Sequence, residues 1–158
     1  MSADLKFLQR CAAFCRTHGA PHYYAHWSPL VLLEYLHFHG QQATLQVVER
    51  AGEIVGLSTA HRVADAVLQE ALTAGKPVFA WQPDDPAAPN LLLGHYIATA
   101  PGALAELVRR TQARFPDWEQ LKVFALRTTR GGRQHVRYSV QTIRRLANFN
   151  PKENYACS

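Results

Sequence analysis

The sequence predicts an α+β domain, a mostly antiparallel mixed sheet flanked by helices, over residues 1–147, with a short tail at 148–158. Three observations predict it. Two β-rich runs meet at Ala51-Gly52 like the arms of a hairpin. A nearly all-apolar run, Leu91 to Thr99, has the composition of a strand covered on both faces. Segments with helical periodicity lie on either side of these runs and between them.

Taken in order, Asp4 to Thr17 reads as a first helix, with Leu5, Leu8, Ala12 and Cys15 spaced three or four apart and Gly19 and Pro21 stopping it. Ser28-Pro29 starts a second helix, since serine caps free amides and proline in the first turn lacks none that is needed. Val31, Leu32, Tyr35 and Leu36 form its expected buried stripe, and Gly40 its expected end. The hairpin spans Ala43 to Arg50 and Glu53 to Ala60. Arg62 to Thr73 follows as a helix, Pro77 to Trp81 as a short strand, and Gln82 to Asn90, with three prolines and two aspartates, as a loop.

After the Leu91–Thr99 strand, Pro101 opens a helix to Arg114, with Leu104, Leu107, Val108 and Thr111 as its apolar stripe. Phe115-Pro116-Asp117 ends it. Leu121 to Thr128 and Gln134 to Val140 are two further strands joined at Arg130-Gly131-Gly132, and a last short helix holds Ile143 and Leu146. The helix between the strands at 91–99 and 121–128 makes that pair parallel within a sheet otherwise antiparallel.

Composition excludes several classes. Of 158 residues, 47% are apolar and 18% charged, enough to bury a core. No run reaches the roughly eighteen apolar residues of a membrane span. Residues 1–10 lack the basic start and apolar run of a secretion signal, so the expected location is cytoplasmic. Three cysteines make no disulfide framework, and Cys11 and Cys15 read as buried apolar residues.

Charge is unevenly placed. Residues 1–99 hold six Lys/Arg against eight Asp/Glu, and residues 100–158 hold eleven against four, giving −2 and +7. No acidic residue lies between Gln120 and Lys152, where Arg127, Arg130, Arg133, Arg137, Arg144 and Arg145 all fall. Such a field attracts an acidic or phosphate-bearing partner, nucleic acid among them, or is a solvated basic face. Arginine's planar fork suits oxyanions.

Chemistry has few candidate places. The helix start at Pro101-Gly102-Ala103 leaves amides free at the positive end of a helix dipole, so it is either an anion site with Arg109 and Arg110 beside it or an ordinary tight turn. Neither GxGxxG nor GxxxxGK[ST] occurs. His95, on a strand face taken to be shared with Leu93 and Ile97, is a candidate general base or else a core histidine. Tyr138, among the arginines of the last strand, donates a proton or packs. His22, His26, His37 and His39 lack finger-like metal spacing, so no metal is expected.

Three segments carry a resemblance. They are Trp27-Ser28-Pro29-Leu30, Gly94-His95-Tyr96-Ile97-Ala98, and Leu107-Val108-Arg109-Arg110 followed by Phe115-Pro116-Asp117. With the order of elements, they resemble the GCN5-related N-acetyltransferase fold and, within it, the toxin-activating lysine acyltransferases. The resemblance spans roughly residues 27–138. It implies acyl transfer to an amine from acyl-CoA or acyl carrier protein, with no permanently bound cofactor. Departures are specific. That family's catalytic histidine follows its Ser-Pro segment, where Leu30 and Val31 stand, and its catalytic aspartate falls at or beside His95. The CoA-binding turn is represented only by Pro101-Gly102-Ala103. The alternatives are a non-enzymatic nucleic-acid- or protein-binding module using the Arg-rich third, or an inactive relative acting as a homodimer.

Overall fold

The computed structural model describes residues 4–19, 27–74, 83–129 and 132–149. The expected strand at 77–81, His22 and His26, the turn at 130–131 and the tail beyond 149 lie outside the described residues. Helix α1 spans Leu5–His18, with the Asp4 carboxylate accepting from Lys6 N, and α2 spans Pro29–Gln41, with Ser28 Oγ accepting from Val31 N at 3.2 Å. Strands β1, Leu45–Arg50, and β2, Glu53–Val63, form the hairpin. Both turn residues, Ala51 (φ 52°) and Gly52 (φ 79°), take the left-handed conformation that matches a hairpin's twist. Then follow α3 (Asp65–Ala74), β3 (Asn90–Ala98), α4 (Ala103–Arg114), a 3-10 turn (Trp118–Gln120), β4 (Lys122–Thr129), β5 (Gly132–Tyr138) and α5 (Val140–Ala147).

The fold is α+β. Among the described residues, five strands lie in sequence order in one mixed sheet, all pairs antiparallel except β3 with β4. This is the parallel pairing expected from the helix between the two strands. Helices α1 to α3 cover one face. Leu8, Phe14, Leu32 and Leu36 pack there against Leu57 and Ile97, and Leu68 packs against Val63 and Leu92. Helices α4 and α5 cover the other face, where Val108, Ile143 and Trp118 meet Ala60, Leu91 and Val123.

Several boundaries differ from expectation. Gly40 lies inside α2, which runs on to Gln41. On that helix Val31 faces solvent and His39 is buried in its place. Strand β2 continues through Arg62 and Val63, so α3 begins only at Asp65. The Arg62 main-chain amide donates to Asp84 Oδ1 at 2.7 Å, and its guanidinium to Ala88 O and the Asp117 carboxylate. This arginine therefore ties a strand, a loop and a turn together. Helix α4 begins at Ala103, with Gly102 (φ 80°) as its cap and Pro101 in the preceding turn.

Candidate functional site

The site arises from an irregularity in β3. Ser58 pairs with Tyr96 and Ala60 with Leu93, so Thr59 of β2 faces two residues of β3, Gly94 and His95. A β-bulge of this kind reverses which face later side chains occupy. Before it, Leu91 and Leu93 point toward α4 and α5; after it, Tyr96 does. His95 and Ile97 point the other way, toward α2. His95 therefore shares a face with Ile97 but not with Leu93, because strict alternation cannot anticipate the extra residue.

Glycine at the bulge has a steric cause. A Cβ on Gly94 would overlap Thr59 Oγ1 and lie 2.9 Å from the Tyr35 hydroxyl. That space holds a hydrogen bond of 2.8 Å between Tyr35 and Thr59, and Thr59 Oγ1 also accepts from the His95 amide at 3.1 Å. The bulge is thus fastened to α2 by side chains.

At the same point the two parallel strands part. β3 and β4 pair from Asn90 with Lys122 to Leu93 with Ala125 and no further. Beyond it β3 stays with β2 to Ala98, and β4 stays with β5 to Thr129. The result is a wedge, closed near Leu91 and Val123 and open from Gly94 onward.

Against the wedge lies a cavity of about 280 Å³. The sheet supplies Leu91, Leu93, Val123 and Ala125, and the helices supply Leu104, Val108, Ile143 and Leu146. Trp118 forms part of its wall, and Gly94 and Tyr96 line the part nearest the opening of the strands. Its polar groups are few: Tyr96, Thr111, Gln112 and Tyr138. A mostly apolar cavity with a few placed polar groups is the usual form of a small-molecule site.

Tyr96 bonds to Thr111 across this cavity wall. Thr111 has a single hydroxyl proton, directed to Leu107 O at 3.0 Å or Gln46 Oε1 at 3.2 Å, so Tyr96 is the donor in its bond to Thr111. Burial, outweighing the bonds to Thr111 and Ser58, pushes the Tyr96 phenol up to about 12. It is a neutral, fixed hydroxyl.

The expected site residues fall in three separate places. Tyr138 lines the cavity. His95 is only 5% exposed and stacks edge-on against Tyr35 (ring centroids 4.9 Å) and Trp27 (6.0 Å) on the α2 side. Burial lowers its pKa from 6.5 to about 4, so at neutral pH it is an uncharged imidazole. Pro101, Gly102 and Ala103 form the turn into α4 and do not line the cavity. There the Pro101 carbonyl accepts from Arg50 Nη1 at 2.7 Å, and Glu106 in the first helical turn pairs with Arg110 (2.8 Å) and lies 3.7 Å from Arg50. That carboxylate already meets the positive end of the helix dipole. Arg110 also donates to Val47 O, and Arg109 bonds to Ala147 O at 2.7 Å, joining α4 to α5.

Of the basic segment, Arg137, Arg144 and Arg145 are exposed, and Arg144 pairs with Glu119 at 2.7 Å. The side chains of Arg127, Arg130 and Arg133 lie outside what is described. Among the described residues no group of three His, Cys, Asp or Glu side chains is placed to hold a metal ion, and no helix is long and apolar enough to cross a membrane. His39 instead bonds through Nδ1 to Thr44 Oγ1 at 2.7 Å and stacks on Tyr35. Burial, with Cys15 adding to it, raises the Cys11 thiol to about 12 and leaves it inert.

Apart from Tyr138, the cavity was not singled out as a site from sequence, nor were Gly94 as a bulge and the Tyr96–Thr111 bond. The available signal was a glycine inside an apolar strand, which marks a bulge or a close backbone approach.

No family model matches this chain, and no curated protein does. Among solved structures it is similar to a Drosophila melanogaster polyamine N-acetyltransferase that catalyses the formation of N-acetylagmatine. The identity is 14%, over 81% of this chain and 75% of that one, with a TM-score of 0.47.

Proposed function

We propose that this chain is an acyltransferase that moves an acyl group from a thioester, on CoA or on an acyl carrier protein, to an amine. One observation carries the proposal: the parting of β3 and β4 at Gly94, directly against a mostly apolar cavity. The wedge offers the main-chain edge of β3 beyond Leu93 to an extended donor arm, as a sheet edge does to an added strand. The acyl group then lies toward the cavity and away from water.

In the reaction the amine nitrogen adds to the thioester carbonyl, a C–N bond forms and the C–S bond breaks. The amine nitrogen gives up one proton as it adds and the leaving thiolate takes one, with solvent at the open end of the wedge as the carrier. Tyr138 sits opposite Val123, where the strands are paired, away from the thioester. His95 faces the opposite side of the sheet with a depressed pKa, which supports a packing role at the bulge in place of base catalysis. The exposed Arg137 and Arg145 suit an acidic donor carrier or the phosphates of CoA.

The test is calorimetric titration of the chain with CoA, acyl-CoA and acyl carrier protein, followed by thiol release in the presence of a panel of amines. Binding of a thioester donor and amine-dependent release support the proposal. No binding of either donor type at millimolar concentration removes it.

A further inference from the structure

We infer that the acyl group handled here is a medium chain of about ten carbons, held in the cavity between the sheet, α4 and α5. The inference rests on the acyl-transfer reading and adds to it the chemical class of the donor. A dry apolar cavity of roughly 150 Å³ takes the six carbons of benzene. On that scale the 280 Å³ here takes about ten or eleven carbon atoms. An acetyl group would cover little of its apolar lining, leaving Leu91, Val108, Val123 and Ile143 without contact to the donor.

The shape of the site points to a length limit. Gly94 and Tyr96 mark the end at which the strands have parted, where the thioester carbonyl sits in the acyl-transfer reading. Toward the other end lie Val123, Tyr138 and Trp118, in the region where β3 and β4 are hydrogen-bonded and no gap remains. Trp118 is itself held by the 3-10 turn, its amide donating to Phe115 O at 2.9 Å. A chain that grows from the wedge therefore gains apolar contact with each methylene until the cavity's volume is filled. Longer chains have to bend back or stay in water.

The experiment is equilibrium binding of CoA, acetyl-, hexanoyl-, decanoyl- and palmitoyl-CoA to the full chain. The expected result is tightening of about fourfold per added methylene up to about ten carbons, then no further gain. A decanoyl-CoA no tighter than acetyl-CoA overturns the inference and leaves the acyl-transfer reading standing. So does affinity that keeps rising to palmitoyl-CoA. Failure of every CoA species to bind counts against the acyl-CoA reading and the chain length together. Ala125→Ile puts three more carbons into the cavity and is expected to lower the limit by about three carbons. Leu104→Trp, at a half-exposed helix position that tolerates substitution better, is expected to lower it as well. An unchanged limit in a folded variant of either kind overturns the inference.

Discussion

Replacing Gly94 by alanine is expected to cost far more than a methyl group in a strand usually does. The new Cβ would overlap Thr59 Oγ1 and stand 2.9 Å from the Tyr35 hydroxyl. Relief requires Thr59 to rotate away, which breaks its bonds to Tyr35 (2.8 Å) and to the His95 amide (3.1 Å), or β3 to shift out of register. Each buried polar group stranded in this way costs about 1–3 kcal/mol, and overpacking alone costs a similar amount. The expected loss is about 3 kcal/mol, which for a chain of this size lowers Tm by roughly 6–12 °C. Thermal unfolding followed by circular dichroism measures it. Thr59→Ala removes the overlapping oxygen, so Gly94→Ala on that background should cost at least about 1 kcal/mol less. A Tm shift below about 2 °C for Gly94→Ala, or strict additivity of the two changes, would refute the steric account of the bulge.

Other consequences can be measured directly. Because burial depresses the His95 pKa to about 4 from 6.5, the unfolded chain binds the proton more readily. Stability that is complete above pH 6.5 should then decline by about 3 kcal/mol as pH falls to 4. Urea titrations across that range check this, and His95→Leu should flatten the pH dependence. Arg62→Ala removes the bonds to Ala88 O and Asp117 and should cost about 2 kcal/mol in urea unfolding. Asp117→Ala, at the exposed end of the same pair, should cost under about 1 kcal/mol. Tyr138→Phe, at the paired end of the cavity, should leave kcat for amine-dependent thiol release within a few-fold; a loss of about 100-fold, the size a general acid contributes, would contradict that placement.

Much of the architecture is legible in the residues themselves. Ala51-Gly52 announces a hairpin because two left-handed positions fit few other dipeptides so well, and Ser28-Pro29 announces α2 by its cap. The parallel pairing of β3 with β4 follows from the helix between them. The face of His95 is not legible, since alternation holds only while each residue has one partner across the ladder, and Thr59 faces two. The cavity is equally hidden. Leu91, Val108, Val123 and Ile143 read as ordinary core, and only tertiary packing shows that they leave space between them. The role given to Arg109 and Arg110 illustrates a different limit. Sequence shows a guanidinium near a helix start but not the carbonyls of Ala147 and Val47 that these side chains reach.

Hydrogen–deuterium exchange with and without decanoyl-CoA reads the wedge and cavity most directly. Protection is expected in peptides covering residues 93–98, 104–112 and 123–126, with α1 and α2 unchanged. Ligand binding accompanied by protection elsewhere, and none along β3 and β4 where they part, would contradict the account.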